Sequence, residues 1–69
     1  WYIPLDQVPA AVMATAKKTC PEAEVWMVEM EAYNVYEVKM SNFMELYIDV
    51  NGNLLGQMGP MGPYGTTNY

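Results

Sequence analysis

Carboxylates are the residues with chemistry to offer in this chain. Glu29, Glu31, Glu37, Glu45 and Asp49 all fall in a stretch where apolar and polar residues alternate. Paired acids can act as general acid and base when burial separates their pKa values, and they can hold calcium through oxygen ligands. They can also be no more than the solvated side of a half-buried sheet. The chain has no histidine, so it has no His-based triad, no Cys–His pair and no imidazole zinc site. The glycines between Gly59 and Gly65 open no helix and come with no lysine, which rules out a phosphate-cradling loop. We therefore expect no catalytic residue, no metal site and no cofactor. Cys20 is the only cysteine; it reads either as a small hydrophobe at a helix end or as half of an intermolecular disulfide.

Composition narrows the partners. A chain of 69 residues holds one domain, and one this small buries only about 60 % of the surface its unfolded form exposes. Association is a common supplement for such a domain. The net charge of -5, with 3 lysines and no arginine against 8 acids, lacks the basic face that phosphate backbones require, so nucleic acid is not an expected partner. No apolar run reaches the roughly 20 residues of a spanning helix, so no membrane span is expected. The chain begins with Trp1 instead of Met, so it is either processed or a fragment of a longer chain, and of the two we expect processing of an exported protein, extracellular or periplasmic.

Three kinds of element would position these residues. Trp1 to Ile3 are apolar and precede Pro4, which favours an extended arm or edge strand over residues 1–5. From Asp6, a plausible N-cap, to Thr19 the pattern is helical: Pro9 falls in the first turn, and Val8, Ala11, Val12, Thr15, Ala16 and Thr19 form one small-residue face. Pro21 ends that helix. From Glu24 the period becomes two, placing Trp26, Val28, Met30 and Ala32 inward and Val25, Met27, Glu29 and Glu31 outward. Tyr36, Val38 and Met40, then Met44, Leu46, Ile48 and Val50, continue the inward face, while Glu37, Lys39, Glu45, Tyr47 and Asp49 face out. Asn51-Gly52 suits a two-residue type I′ hairpin leading to a fourth strand over 53–57. The expected fold is thus α+β: one N-terminal helix packed on a four-stranded antiparallel meander over residues 6–57.

Residues 58–69 depart from this pattern. Gly56, Gly59, Gly62 and Gly65 recur every third residue, with Pro60 and Pro63 each following a glycine. A polyproline-like extended arm fits better than a collagen helix, which needs many strict triplets and more proline. At about 3.1 Å per residue such an arm spans roughly 37 Å, enough to reach a neighbouring molecule. The residues expected to contact protein are therefore Trp1, Tyr2 and Ile3 at one end, Met58, Pro60, Met61, Pro63, Tyr64 and Tyr69 at the other, and Val25, Met27 and Tyr47 on the sheet.

Two stretches resemble a known family. Leu5-Asp6-Gln7-Val8-Pro9-Ala10-Ala11-Val12, continuing through Lys17-Lys18-Thr19-Cys20-Pro21-Glu22-Ala23-Glu24-Val25, is similar to the helix and strand entry of PepSY-like domains. Tyr36-Glu37-Val38-Lys39-Met40 and the run Leu46-Tyr47-Ile48-Asp49-Val50-Asn51-Gly52-Asn53-Leu54-Leu55 resemble that family's later strand and hairpin. The resemblance covers about residues 5 to 56 and implies a helix on an antiparallel sheet in an exported bacterial protein, similar to the repeats of a β-lactamase inhibitor protein. It implies a binding or regulatory module, with protease inhibition proposed for some members, and carries over no catalytic residue. The chain departs from the family at Cys20, where an aromatic is common, and in its Gly/Pro/Tyr arm. From these features we expect a non-enzymatic structural subunit whose arms dock on neighbouring protomers in an extracellular filament or other homo-assembly. The alternative expectation is a secreted or periplasmic PepSY-like regulatory or inhibitory module that binds another protein.

Overall fold

The computed structural model describes residues 1–59. The helix is shorter than its pattern predicts. Leu5–Gln7 form a 3-10 turn, and the α-helix, α1, runs over Ala10–Thr19 with Pro9 in the N-cap position. Asp6 therefore does not cap it. The cause is Pro9, which drives the preceding Val8 out of the helical region to φ -76, ψ 135. Lys17 and Lys18 occupy the last turn, where cations complement the exposed carbonyls. The Thr19 hydroxyl donates to the Thr15 carbonyl, and the Cys20 N–H closes the helix on the Ala16 carbonyl.

The sheet has five strands, one more than expected. β1 (Tyr2–Ile3), β2 (Val25–Ala32), β3 (Val35–Met40), β4 (Glu45–Asp49) and β5 (Leu54–Met58) lie in that order, each antiparallel to the next. The added strand is the N-terminal segment, which takes the edge-strand alternative expected for residues 1–5. Tyr2 sits opposite Glu29 and Ile3 opposite Val28, while the Trp1 carbonyl accepts from the Met30 N–H at 2.8 Å. Pro4 cannot donate to a ladder, so β1 ends there.

One face of the sheet carries the core. Val28, Tyr36, Val38, Met40, Leu46 and Ile48 meet Val8, Val12, Ala16 and Cys20 from the helical side, with Ala23 closing the end. The alternation read from the sequence holds through β3 and β4. It fails in β2, where one irregularity separates Val25 from Met27 and another separates Met30 from Ala32. Opposite Met40, Val25 packs against the core, so its expected outward position is corrected. Trp26 becomes the extra residue of the bulge and is 53 % exposed, although the alternation had placed it inside. Ala32, beyond the second irregularity, is also exposed.

Two of the hairpins share a form. Asp49 and Asn53 flank a three-residue loop: the Gly52 N–H donates to the Asp49 carbonyl, and the Asp49 N–H donates to the Asn53 carbonyl. Gly52 has φ +89, so this is a type I turn followed by a left-handed residue and not the two-residue type I′ turn expected from Asn51-Gly52. Glycine is needed here twice over. Besides its φ, a Cβ at this position would stand 2.9 Å from the Ala11 carbonyl oxygen and 3.1 Å from Thr15 Oγ1. Met40 and Met44 flank the other loop with the same pair of hydrogen bonds, and there the left-handed position, at φ 69, is held by Phe43.

Candidate functional site

Opposite α1 lies the outer face of the sheet, and its centre is Glu37. This residue is in the middle of β3, directly across from Glu29 on β2 and Tyr47 on β4. Glu31 and Glu45 stand at the diagonals. Glu37 is only 7 % exposed and is the one buried charged residue among those described. Since the helix lies on the other face, neighbouring side chains of the sheet do the shielding.

Like charges directly opposite on a sheet repel, and this arrangement resolves the repulsion by keeping a proton. A hydrogen bond shared with the Glu45 carboxyl, then burial, then a hydrogen bond with Glu31 and the charges of both neighbours push the Glu37 carboxyl up to about 8. Glu29 is held differently. Its Oε1 lies 3.4 Å from the Lys39 ammonium, and that partner raises the lysine above its ordinary value. Burial and the surrounding carboxylates also raise the Tyr47 hydroxyl. Asp49 is on the same face but turned into its loop, where it accepts from the Asn51 N–H, the Asn53 N–H and the Asn53 side-chain amide. The Asn53 side chain first, then the backbone donors, hold the Asp49 carboxyl below its usual range.

Beside the carboxyl cluster stands an aromatic pair. The Trp26 and Phe43 rings meet edge to face, their centroids 5.3 Å apart and their planes at 86°. With Lys39, Met40, Met44 and Glu45 they line a cleft of about 130 Å³. Glu45 therefore belongs both to this cleft and to the cluster around Glu37. Phe43 is 65 % exposed. A bulky residue in the left-handed region costs roughly 1–3 kcal/mol, and the equivalent position of the next hairpin shows glycine satisfying the same turn. The Asn42 side chain helps hold the loop by accepting from the Met44 N–H. Alternation and turn composition gave no notice of Trp26, Phe43 or the burial of Glu37 as site features. For Phe43, the signal present in the sequence was a hairpin loop with a large apolar residue where glycine belongs.

The structure divides the residues expected to contact protein. Tyr2, Met27 and Tyr47 share the outer face with the carboxylates; Tyr2 and Met27 are exposed, and Tyr47 is half-buried. Met58, opposite Glu45, is exposed on the edge strand β5. Trp1 extends the opposite edge, while Ile3 packs against the core, as Val25 does. Pro60, Met61, Pro63, Tyr64 and Tyr69 lie outside the described residues, as does most of the arm expected over 58–69. Among the described residues no group of three or more acidic or thiol side chains is arranged to hold a metal ion. No helix among them is long and apolar enough to cross a membrane. Cys20 is a free, buried thiol beneath a second depression lined by Thr19, Pro21, Glu22, Asn42 and Met44.

Comparison with known proteins gives one result. No curated protein and no solved structure matches the chain. A family model described as "Putative beta-lactamase-inhibitor-like, PepSY-like" matches residues 1–56, which takes in the 3-10 turn, α1, the first four strands and most of the last hairpin. The helix on an antiparallel meander, read from the sequence and found in the structure, is accordingly that of the PepSY-like family, to which this chain belongs.

Proposed function

We propose that the chain is a non-catalytic protein-binding module of the inhibitor-like kind, exported from the cell, whose contact surface is the outer face of the sheet. The observation that carries this reading is the asymmetry of the sheet. α1 covers one face, while the other presents Tyr2, Met27 and Met58 as exposed apolar groups around a carboxyl cluster, with the exposed Trp26 of the β2 bulge in the cleft that Glu45 also lines. Aromatic and methionine side chains beside polar groups are what protein interfaces enrich at their centres. The lack of histidine, which removes the commonest general base, favours binding over catalysis.

The test is a photo-crosslinking residue in place of Tyr47, with the same residue in place of Lys18 on the far side as control, in extract of the native source. A heterologous adduct at 47, absent at 18 and competed away by unlabelled chain, is the expected result. Equal adducts at both positions, or none, contradict the reading. Inhibition of a β-lactamase is the first activity to assay on the purified chain, following the family description.

A second reading, self-assembly into a filament, draws on the edge strand β5. Among the described residues nothing pairs with its outer edge, and Leu54, Leu55 and Met58 are exposed along it. An open edge of this kind templates strand addition. Adducts of the chain with itself, together with light scattering that shows growth with concentration, would select this reading over the first.

A further inference from the structure

Resting on the reading of the outer face as a protein contact, we propose that its partner presents a basic polypeptide segment, one cationic side chain of which enters the cleft between the Trp26–Phe43 pair and the Glu45 carboxylate. The lining offers a cation two attractive sides, and the Lys39 ammonium, which also lines the cleft, is paired with Glu29 at 3.4 Å. Indole and phenyl faces attract a guanidinium or ammonium through their quadrupoles, and Glu45 supplies the opposite charge in the same cleft. The charge of the face agrees. Glu29, Glu31, Glu37 and Glu45 are gathered on three adjacent strands with Lys39 as the one lysine among them, and Lys39 is engaged by Glu29. The chain carries no arginine and a net charge of -5, so it is a poor source of such a segment for itself. The aromatic side is also costly to maintain: Phe43 stays left-handed and exposed where glycine would close the loop without strain.

Binding of a cation there has a proton signature. Groups facing Glu37 are Glu29 and Glu31 from β2, Lys39 from its own strand, and Glu45 and Tyr47 from β4, with Asp49 at the other β4 diagonal engaged by its own loop; Tyr2 lies beyond Glu29, and β5 adds only Gly56 and Met58. Near neutral pH the free face holds a proton on Glu37, shared with Glu45. An entering cation favours the ionised pair, so the proton leaves. Affinity therefore rises with pH through the range in which Glu37 titrates in the free chain.

The experiment is calorimetric titration of the full chain with an amidated heptapeptide alternating arginine and serine, and with the same peptide carrying citrulline for arginine. The arginine peptide should bind about tenfold tighter than its neutral counterpart. Its affinity should increase about tenfold from pH 6.5 to 8.5. Glu37→Gln should remove that pH dependence. Trp26→Ala, Phe43→Gly and Glu45→Gln should each weaken binding by about threefold to thirtyfold, while Asp6→Asn, which removes one charge at the helical end, should change it less than about twofold. Circular dichroism of each variant checks the fold, and Phe43→Gly relieves backbone strain, so a folded variant is at hand. Equal affinity for the citrulline peptide, equal losses in Asp6→Asn and Glu45→Gln, or no binding at all would overturn the proposal. A crosslinked partner at position 47 that carries no basic segment would overturn it too, yet leave the outer face as a protein contact.

Discussion

At the scale of single residues, Glu37 and Asp49 give the molecule opposite responses to pH. The folded pKa of Glu37 is raised, so its contribution is full below the unfolded carboxyl value and is lost as pH rises toward about 8. That of Asp49 is lowered, so its contribution is present above the unfolded value and lost as pH falls through the folded one. The two contributions together should be largest at about pH 4, between the unfolded values of the two carboxyls, and decline on both sides, as melting curves across about pH 3 to 9 would reveal. Glu37→Gln should flatten the alkaline limb and melt higher than the parent at pH 8.5; an unchanged alkaline limb would show that Glu37 ionises normally. The two left-handed positions make a matched pair. Phe43→Gly removes strain and an aromatic contact together and gives up some unfolded-state restriction, so stability should stay within about 1 kcal/mol of the parent. Gly52→Ala adds a strained φ and a close approach to Ala11, and should destabilise by about 2 kcal/mol or more. Urea unfolding of both variants compares them directly.

Among the elements, legibility followed register. Alternation was enough for β3 and β4 because their pairing runs from Lys39 opposite Glu45 to Val35 opposite Asp49 without interruption. It misassigned Val25, Trp26 and Ala32 because β2 is irregular at both ends, and a bulge alters facing without altering composition. The pattern predicts a helix from Asp6 with Pro9 in its first turn, whereas Pro9 holds Val8 extended and the helix begins only at Ala10. The carboxyl cluster was half legible. Each acid was correctly placed on the outer face, but the burial of Glu37 arises from residues on three strands and exists only once the register is set. Removing the Asp49 carboxylate from its loop, by Asp49→Ala, should lower the melting temperature at pH 7 and abolish the acid limb it contributes; an unchanged melting curve would mean the loop closes without it.

The molecule as a whole is small enough that a few core contacts decide whether it folds. For 69 residues a total stability of about 3–10 kcal/mol is typical, whereas truncating a fully buried leucine costs about 2–5 kcal/mol. Leu46→Ala, at the centre of the inner face, should therefore remove a large share of the urea resistance or unfold the chain, while outer-face variants should not. Such a division leaves one face for stability and the other open to a partner, with a proton-holding carboxyl at its centre. The most direct test is the titration of the Glu37 side-chain carboxyl by carbon-detected NMR, in the free chain and with the arginine peptide bound. A midpoint near 8 in the free chain that moves down on binding is the expected result; a midpoint near the ordinary carboxyl value, or one the peptide leaves unmoved, would contradict it.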